Sequence, residues 1–215
     1  MLSLSIFSSS KRISVAIYEN NNLLKLEESN MMNTKNEVLF RVLQRIFVKF
    51  KIKKISKIFF STGPGSFTAI RSIKAIAQGI SAVTNSKIYS INMFDIFIKQ
   101  ISLKNNYILI FFSSGKETVF FRLFESNKEK FLPISEILFG TLDKFVEYYL
   151  IVCKEYKNTQ LFTNKETNFT SLKILKKTSI KTLEINAKTL GEACLNGFLK
   201  KDLNIYYHHT YYEKP

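Results

Sequence analysis

The sequence predicts an α/β fold of two α/β subdomains with mixed sheets, the second subdomain smaller and less regular than the first. Apolar residues alternate through the first 28 positions, as in β-strands. From Glu37 the apolar period changes to that of an amphipathic helix. The first hundred residues then follow the order βββαβαβα, which favours a partly parallel sheet covered by helices.

The first subdomain is predicted to open with a three-stranded antiparallel meander. Its strands are Leu2–Ile6, Ile13–Ile17 and Leu24–Leu26, separated by turns rich in serine and asparagine. A helix follows from Glu37 to Phe50, with an apolar stripe on one face and basic residues on the other.

A second helix is predicted from Phe67 to Val83, after the strand Ile58–Ser61 and a Gly-Pro-Gly turn. The strand Lys87–Ile91 comes next. Asn92 is then expected to cap a further helix, because its side chain can accept a hydrogen bond from the first turn. Asp95 lies near the positive end of that helix.

Asn105 and Asn106 mark the predicted boundary between an N-terminal subdomain, residues 1–104, and a C-terminal α/β subdomain, residues 105–215. The elements expected after this boundary are strands at Tyr107–Phe112, Thr118–Phe124 and Gln160–Phe162 and helices near Asp143–Val152 and Ala187–Leu199.

Composition predicts a globular cytoplasmic protein. The 215 residues are 46% hydrophobic, enough for a sizeable core. The longest uninterrupted apolar run, Tyr107–Phe112, is far shorter than the roughly 20 residues of a membrane helix, and the N-terminus lacks the pattern of an export signal. Cys153 and Cys194 have neither metal-ligand nor disulfide-scaffold spacing.

The formal net charge of +15 has two interpretations. A basic surface attracts RNA and other polyanions. Alternatively, the excess of Lys, Asn, Ile and Phe reflects AT-rich codons, and we favour this second interpretation. Even then the charge would attract RNA weakly and in a salt-dependent way.

The Gly-Pro-Gly turn has the position of a phosphate-binding loop but not its sequence. The sequence matches neither the P-loop nor the dinucleotide-binding fingerprint, because both motifs require glycine at the position of Thr68. Two interpretations stay open for Ser66 and Thr68. They either cap the following helix or, with its first amides, bind an anion.

The helix after the turn carries a stripe of small residues, Ala75, Gly79 and Ala82, beside a wide apolar face. Such a helix is either buried within its own domain or forms half of a helix–helix interface, and periodicity alone does not decide between them. Arg71 and Lys74 occupy the remaining face and are expected to be solvated.

Other catalytic patterns are weak. His208 and His209 are adjacent, so in an extended segment they point in opposite directions and do not share a metal. The sequence has no G-x-S-x-G nucleophile elbow. The aromatic tail Tyr206–Tyr212 is expected to be a terminal strand rather than a base-stacking surface.

The segment Gly63–Arg71 closely resembles the Gly-Pro-Gly-Ser-Phe-Thr-Gly-Leu-Arg signature of the TsaB (YeaZ) family, with seven of nine positions identical. The resemblance continues in the first strand and turn, Ser5–Ser10, in Ser14–Ala16, and in the region Ser113–Phe120. The signature loop comprises Gly63, Pro64, Gly65, Ser66, Phe67 and Thr68.

This resemblance implies an actin-like, Hsp70-like ATPase (ASKHA) fold without catalytic function. TsaB proteins pair with TsaD, which carries the metal, the nucleotide and the chemistry, and the ATPase TsaE joins them. The complex transfers a threonylcarbamoyl group to N6 of adenosine 37 in tRNAs that read codons beginning with A. A TsaB-like subunit serves as scaffold and activator, and homodimer or monomer in isolation is left open.

The resemblance also implies that helices of the first subdomain form the partner interface. The predicted interface residues are Glu37, Arg41, Gln44, Arg45, Arg71, Lys74, Ala75, Gln78, Gly79 and Ala82.

Departures from the family pattern argue against ATP hydrolysis. Phe7 stands where the fold's first strand would place a metal-organising Asp. Ser113 and Gly115 replace an Asp and an Arg, and Ala69 replaces a Gly. We therefore expect no cofactor or metal, and a nucleotide only at the interface with the partner. The alternatives are a sugar-kinase-like or hydrolase-like enzyme that binds ATP at Ser8–Ser10, or a direct tRNA-binding module.

Overall fold

The computed structural model describes residues 1–8, 12–30, 35–102, 106–114, 117–127, 130–165, 178–197, 200–201 and 203–206. The chain divides into two compact units. Unit 1 comprises residues 1–96 and 185–215, and unit 2 comprises residues 97–184.

A five-stranded sheet forms the centre of unit 1. Its strands are β1 (Leu2–Ser8), β2 (Arg12–Glu19), β3 (Asn22–Asn30), β4 (Ile55–Ser61) and β5 (Lys87–Ile91), in the spatial order β3-β2-β1-β4-β5. β1, β2 and β3 are antiparallel neighbours, which confirms the predicted meander. β4 pairs parallel with β1, and β5 pairs parallel with β4.

Three helices follow β3, β4 and β5 in the chain, as the sequence predicts. They are α1 (Lys35–Lys49), α2 (Phe67–Thr84) and α3 (Met93–Ile98), with a short 3₁₀ turn at Ile52–Lys54. Asn92 does cap α3, because its side-chain oxygen accepts a hydrogen bond from Phe94 N at 2.8 Å. No helix in the described ranges is long and apolar enough to cross a membrane.

Unit 2 repeats the strand arrangement of unit 1. Its sheet has the order β11-β10-β6-β7-β8, with β9 on β7, and the β6–β7 pair is antiparallel while β10 and β11 run parallel to β6. The elements of unit 2 are β6 (Asn106–Ser113), β7 (Thr118–Ser126), β8 (Phe131–Pro133), β9 (Leu138–Thr141), α4 (Leu142–Glu155), β10 (Gln160–Asn164) and β11 (Ile180–Leu183).

The last helix, α5 (Ala187–Leu195), belongs to unit 1, which corrects the predicted single boundary at residue 104. Ala187 N donates to Ser14 Oγ at 2.8 Å, and Tyr18 Oη donates to Lys188 O at 2.7 Å. Burial raises the pKa of Tyr18, so its hydroxyl stays protonated and keeps donating. The partners of α5 thus lie about 170 residues earlier in the chain.

The two faces of β1 are covered by different elements. Leu4 and Ile6 point into a core shared with α1 and α2, and both are fully buried. Ser3 and Ser5 alternate with them, so they face the opposite side, where α5 packs. Both serines are buried too. Sequence alternation predicted the first face and was silent about what covers the second.

Replacing Gly191 with alanine should destabilise unit 1, because an added Cβ would lie 2.4 Å from Tyr18 Cε2 and the Tyr18 side chain is only 1% exposed. The expected loss is about 1–3 kcal/mol of unfolding free energy, even though alanine favours a helix over glycine by about 1 kcal/mol. Urea denaturation measures it.

The matched control is Gly79→Ala on α2, where an added Cβ meets nothing within 4 Å. There the substitution should raise the free energy of unfolding by about 0.5–1 kcal/mol. If Gly191→Ala were as stable as Gly79→Ala, the close packing of α5 on Tyr18 would be incorrect.

Candidate functional site

The signature loop joins β4 to α2 and is held by backbone hydrogen bonds. Thr62 N donates to Ile91 O at 3.0 Å, and Met93 N donates to Gly63 O at 2.7 Å. Gly63 N donates to Ser61 Oγ at 3.2 Å, and Gly63 adopts φ +100°, which favours glycine. The Gly63–Pro64 peptide is cis. The loop therefore presents α2 from a fixed starting point.

The C-terminal segment is tied to the same loop. Tyr206 N donates to Thr62 O at 3.0 Å, and Ser90 and Lys200 exchange two backbone hydrogen bonds. Of the predicted terminal strand Tyr206–Tyr212, Tyr206 is within the described residues and is not in a strand. The rest of that prediction, including His208 and His209, lies outside the described residues.

A small, mostly apolar depression with room for about one water molecule lies beside the loop. Phe7, Ile70 and Met93 are among its lining residues, and Phe7 is only 4% exposed. Because a phenyl ring has no lone pair for Mg²⁺, the side chain at this position cannot organise a metal. No cluster of three His, Cys, Asp or Glu side chains suited to a metal exists in the described part of the chain.

The start of α2 does not use its cap residue in the expected way. Ser66 is the N-cap residue, yet its side chain makes no capping hydrogen bond. Thr68 is exposed on the first turn. Of the departures from the family pattern, Ala69 is buried and Ser113 is exposed, whereas Gly115 lies outside the described residues.

α1 and α2 pack on the same face of the unit 1 sheet, so their outward sides form one surface, here named the α1–α2 face. The side chains that hold the two helices on the sheet are Leu39, Val42, Leu43, Ile46, Ile73, Ala77 and Ile80. The inner sides of the helices are thus fixed on the sheet, and their outer sides are exposed in the described part of the chain.

The predicted interface residues all lie on α1 or α2. All of them are exposed except Lys74, which is half-buried. Ala75, Gly79 and Ala82 are exposed, so the structure does not bury the small-residue stripe within its own unit. Arg41 pairs with Glu37, and Arg45 lies 3.6 Å from Glu27. The role of these residues in binding a partner stays a prediction.

The sequence analysis missed three exposed apolar side chains on these helices. Phe40, Val48 and Val83 are 61%, 80% and 69% exposed. Each lies outside the helical stripe that contacts the core, and this offset is the signal that could have identified them. Large exposed apolar side chains on the two helices, one of which also carries the small-residue stripe, make the α1–α2 face a candidate protein interaction surface.

The repeated strand order and the connecting helices define a protein of the actin-like ATPase fold. The structure is similar to YeaZ from Pseudomonas aeruginosa, with a TM-score of 0.72 and 12% identity over 96% of this chain and 99% of that one. A Bacteroides thetaiotaomicron protein with an actin-like ATPase fold gives a TM-score of 0.53 at 14% identity, over 90% and 95% of the two chains. These likenesses establish the fold.

The model of the family "TsaD: tRNA N6-adenosine threonylcarbamoyltransferase" matches residues 32–196. A curated relative, tRNA threonylcarbamoyladenosine biosynthesis protein TsaB of Buchnera aphidicola subsp. Acyrthosiphon pisum, is 29% identical over 144 residues. That match covers 66% of this chain and 65% of the relative. The chain belongs to this family, and its resemblance to TsaB (YeaZ) proteins is confirmed.

Replacing Gly63 with alanine should cost about 1–3 kcal/mol of unfolding free energy. The residue adopts φ +100°, and a Cβ would lie 3.1 Å from Ile70 Cδ1 and 3.3 Å from Gly65 N. Gly65→Ala is the matched control, since it has no positive φ and its Cβ would make an ordinary 3.5 Å contact. Thermal unfolding compares the two variants, and equal midpoints would contradict the strained loop geometry.

Proposed function

We propose that the chain is a subunit of the complex that transfers a threonylcarbamoyl group to N6 of adenosine 37 in tRNAs reading codons that begin with A. It pairs with a TsaD-type catalytic subunit through the α1–α2 face. The family match supports the reaction. The single structural observation that carries the pairing is the exposed stripe Ala75, Gly79 and Ala82 on a helix whose other side is firmly packed.

The physical argument for docking is one of shape. The distance between packed helices depends on the side chains at their contact, so small residues allow a partner helix to approach closely. Phe40, Val48 and Val83 would then lose their water contact, and apolar burial contributes about 25 cal/mol per Å². Glycine at position 79 weakens α2 by about 0.5–1 kcal/mol relative to alanine. The fold itself has room for alanine there, because an added Cβ meets nothing within 4 Å.

We infer that this subunit is a non-catalytic scaffold or activator. The position expected to carry a metal-binding carboxylate holds the buried ring of Phe7. The chain therefore has no cofactor of its own, and a nucleotide binds only where the partner contributes to the site. A TsaE-type ATPase joins the pair, tRNA reaches it through the complex, and the assembly works in the cytoplasm.

Replacing Gly79 or Ala75 with leucine should weaken association with the TsaD-type subunit on the order of tenfold to a hundredfold, the effect of overpacking a close contact by about 1–3 kcal/mol. Leucine is a good helix former, so α2 itself should persist. Titration calorimetry with the purified partner measures the affinity.

Lys154→Leu on α4 is the control, since it adds the same side chain at an exposed helical position of unit 2. Wild-type affinity of Gly79→Leu would contradict docking through the stripe. Failure of the wild-type chain to bind the partner, with unchanged tRNA modification on depletion, would contradict the proposed function as a whole.

Mg-ATP titrated into the isolated chain should give no binding heat, because Phe7 supplies no ligand for the metal that accompanies the nucleotide. Detectable ATP binding that is lost when Ser8–Ser10 are replaced by alanine would favour an ATP-binding enzyme.

A further inference from the structure

Residues 38–94 contain no Asp or Glu, although they include most of α1 and all of β4, α2 and β5. The same stretch carries ten basic residues, which are Arg41, Arg45, Lys49, Lys51, Lys53, Lys54, Lys57, Arg71, Lys74 and Lys87. More than a quarter of the chain thus has only positively charged side chains.

Topology gathers six of these lysines at one edge of the unit 1 sheet. β1, β4 and β5 run parallel, so their first residues lie at the same edge. α1 and the 3₁₀ turn end where β4 begins, and α2 runs back to where β5 begins. The signature loop lies at the opposite edge. The lysine edge comprises Lys49, Lys51, Lys53, Lys54, Lys57 and Lys87.

These side chains are accessible, and none of them has an acidic partner in the described part of the chain. Lys57 is half-buried and the other five are exposed. Lys57 and Lys87 are paired neighbours on parallel strands, so two ammonium groups extend from the same side of the sheet. Within the described residues no ion pair involves any of the six lysines. One carboxylate, Glu19 at the end of β2, lies near this edge, because Glu19 pairs with Leu2 at the start of β1.

Neither codon bias nor helix capping explains the cluster. Across the chain 32 of 215 residues are Lys or Arg, whereas Lys occupies five of the nine positions 49–57. A lysine at the end of a helix interacts favourably with the helix dipole, and this accounts for Lys49. Lys51, Lys53 and Lys54 lie beyond α1, where they repel one another without that compensation.

We propose that the lysine edge binds the phosphate backbone of RNA. This proposal rests on the proposed function, in which tRNA is the substrate of the complex. An anionic membrane surface is the less suitable partner, because membrane-binding segments insert a continuous apolar face beside their basic residues. Here Ile52, which lies among the lysines, packs against the core, and Val48 is a single exposed apolar side chain beside Lys49. Phe50 packs against the core too, so the segment offers phosphate contacts rather than base stacking.

The test is fluorescence anisotropy of a folded tRNA transcript titrated with the full chain at several salt concentrations. The variant carries Lys51→Gln, Lys53→Gln and Lys54→Gln. Its affinity at 0.15 M salt should fall on the order of tenfold to a hundredfold, and the salt slope should shrink by about 2–3, as expected when three phosphate contacts are lost. Circular dichroism confirms that both proteins are folded.

The matched control makes the same charge change at exposed lysines of unit 2, Lys130→Gln, Lys154→Gln and Lys157→Gln. The proposal requires this control to lose at most a few-fold in affinity. An equal loss in both triple variants would mean that binding follows net charge, and no loss in the first variant would exclude the edge. Either result overturns the proposal.

Two further measurements separate this proposal from its alternatives. If the first variant loses binding to vesicles of phosphatidylserine and phosphatidylcholine but keeps its tRNA affinity, the edge binds membranes and the proposal is overturned. Binding of the TsaD-type subunit is measured with the same variant and should be unchanged. A wild-type chain that fails to bind that subunit would contradict the proposed function, while the tRNA titration still decides the lysine edge.

Discussion

The double burial of strand β1 is the constraint on which unit 1 depends. The strand lies between β2 and β4, and both of its faces are covered. Leu4 and Ile6 supply bulk for the core under α1 and α2, whereas Ser3 and Ser5 leave room for α5. The Ser5 hydroxyl is fully buried and has no hydrogen-bond partner in the described residues. Position 5 therefore requires a small side chain, and the buried Ser5 hydroxyl without a hydrogen bond lowers the stability of the fold.

This division of faces positions the surface through which the subunit would act. Because the isoleucine side of α2 is committed to the sheet, the side with Gly79 must point outward. The signature loop sets where α2 begins, and its own backbone is tied to β5, α3 and Tyr206. The loop has the position of a nucleotide-binding element, yet its backbone hydrogen bonds fix the start of α2. The Phe7 ring lines the depression beside it.

Local patterns predicted the elements that local physics determines. Alternation identified β1 to β3, and helical periodicity identified α1 and α2, because the apolar residues of each element recur on one face. Three- and four-residue strands such as β8, β9 and β11 are too short to show a period, and the sequence analysis missed them. Nothing near Ala187 indicates that its amide binds Ser14, so the domain boundary was misplaced. Exposure of the stripe was equally undetermined, since Ala and Gly occur on both sides of helices.

The discontinuity of unit 1 also has a consequence during synthesis. α5 lies after the whole of unit 2, so the second face of the first sheet stays uncovered while that unit is translated. At about 5–20 residues per second, this interval is on the order of ten seconds. Tyr18 lacks its contacts with α5 throughout it, whereas unit 2 is continuous and can complete its core as it emerges. The later part of the chain is thus the first able to finish folding.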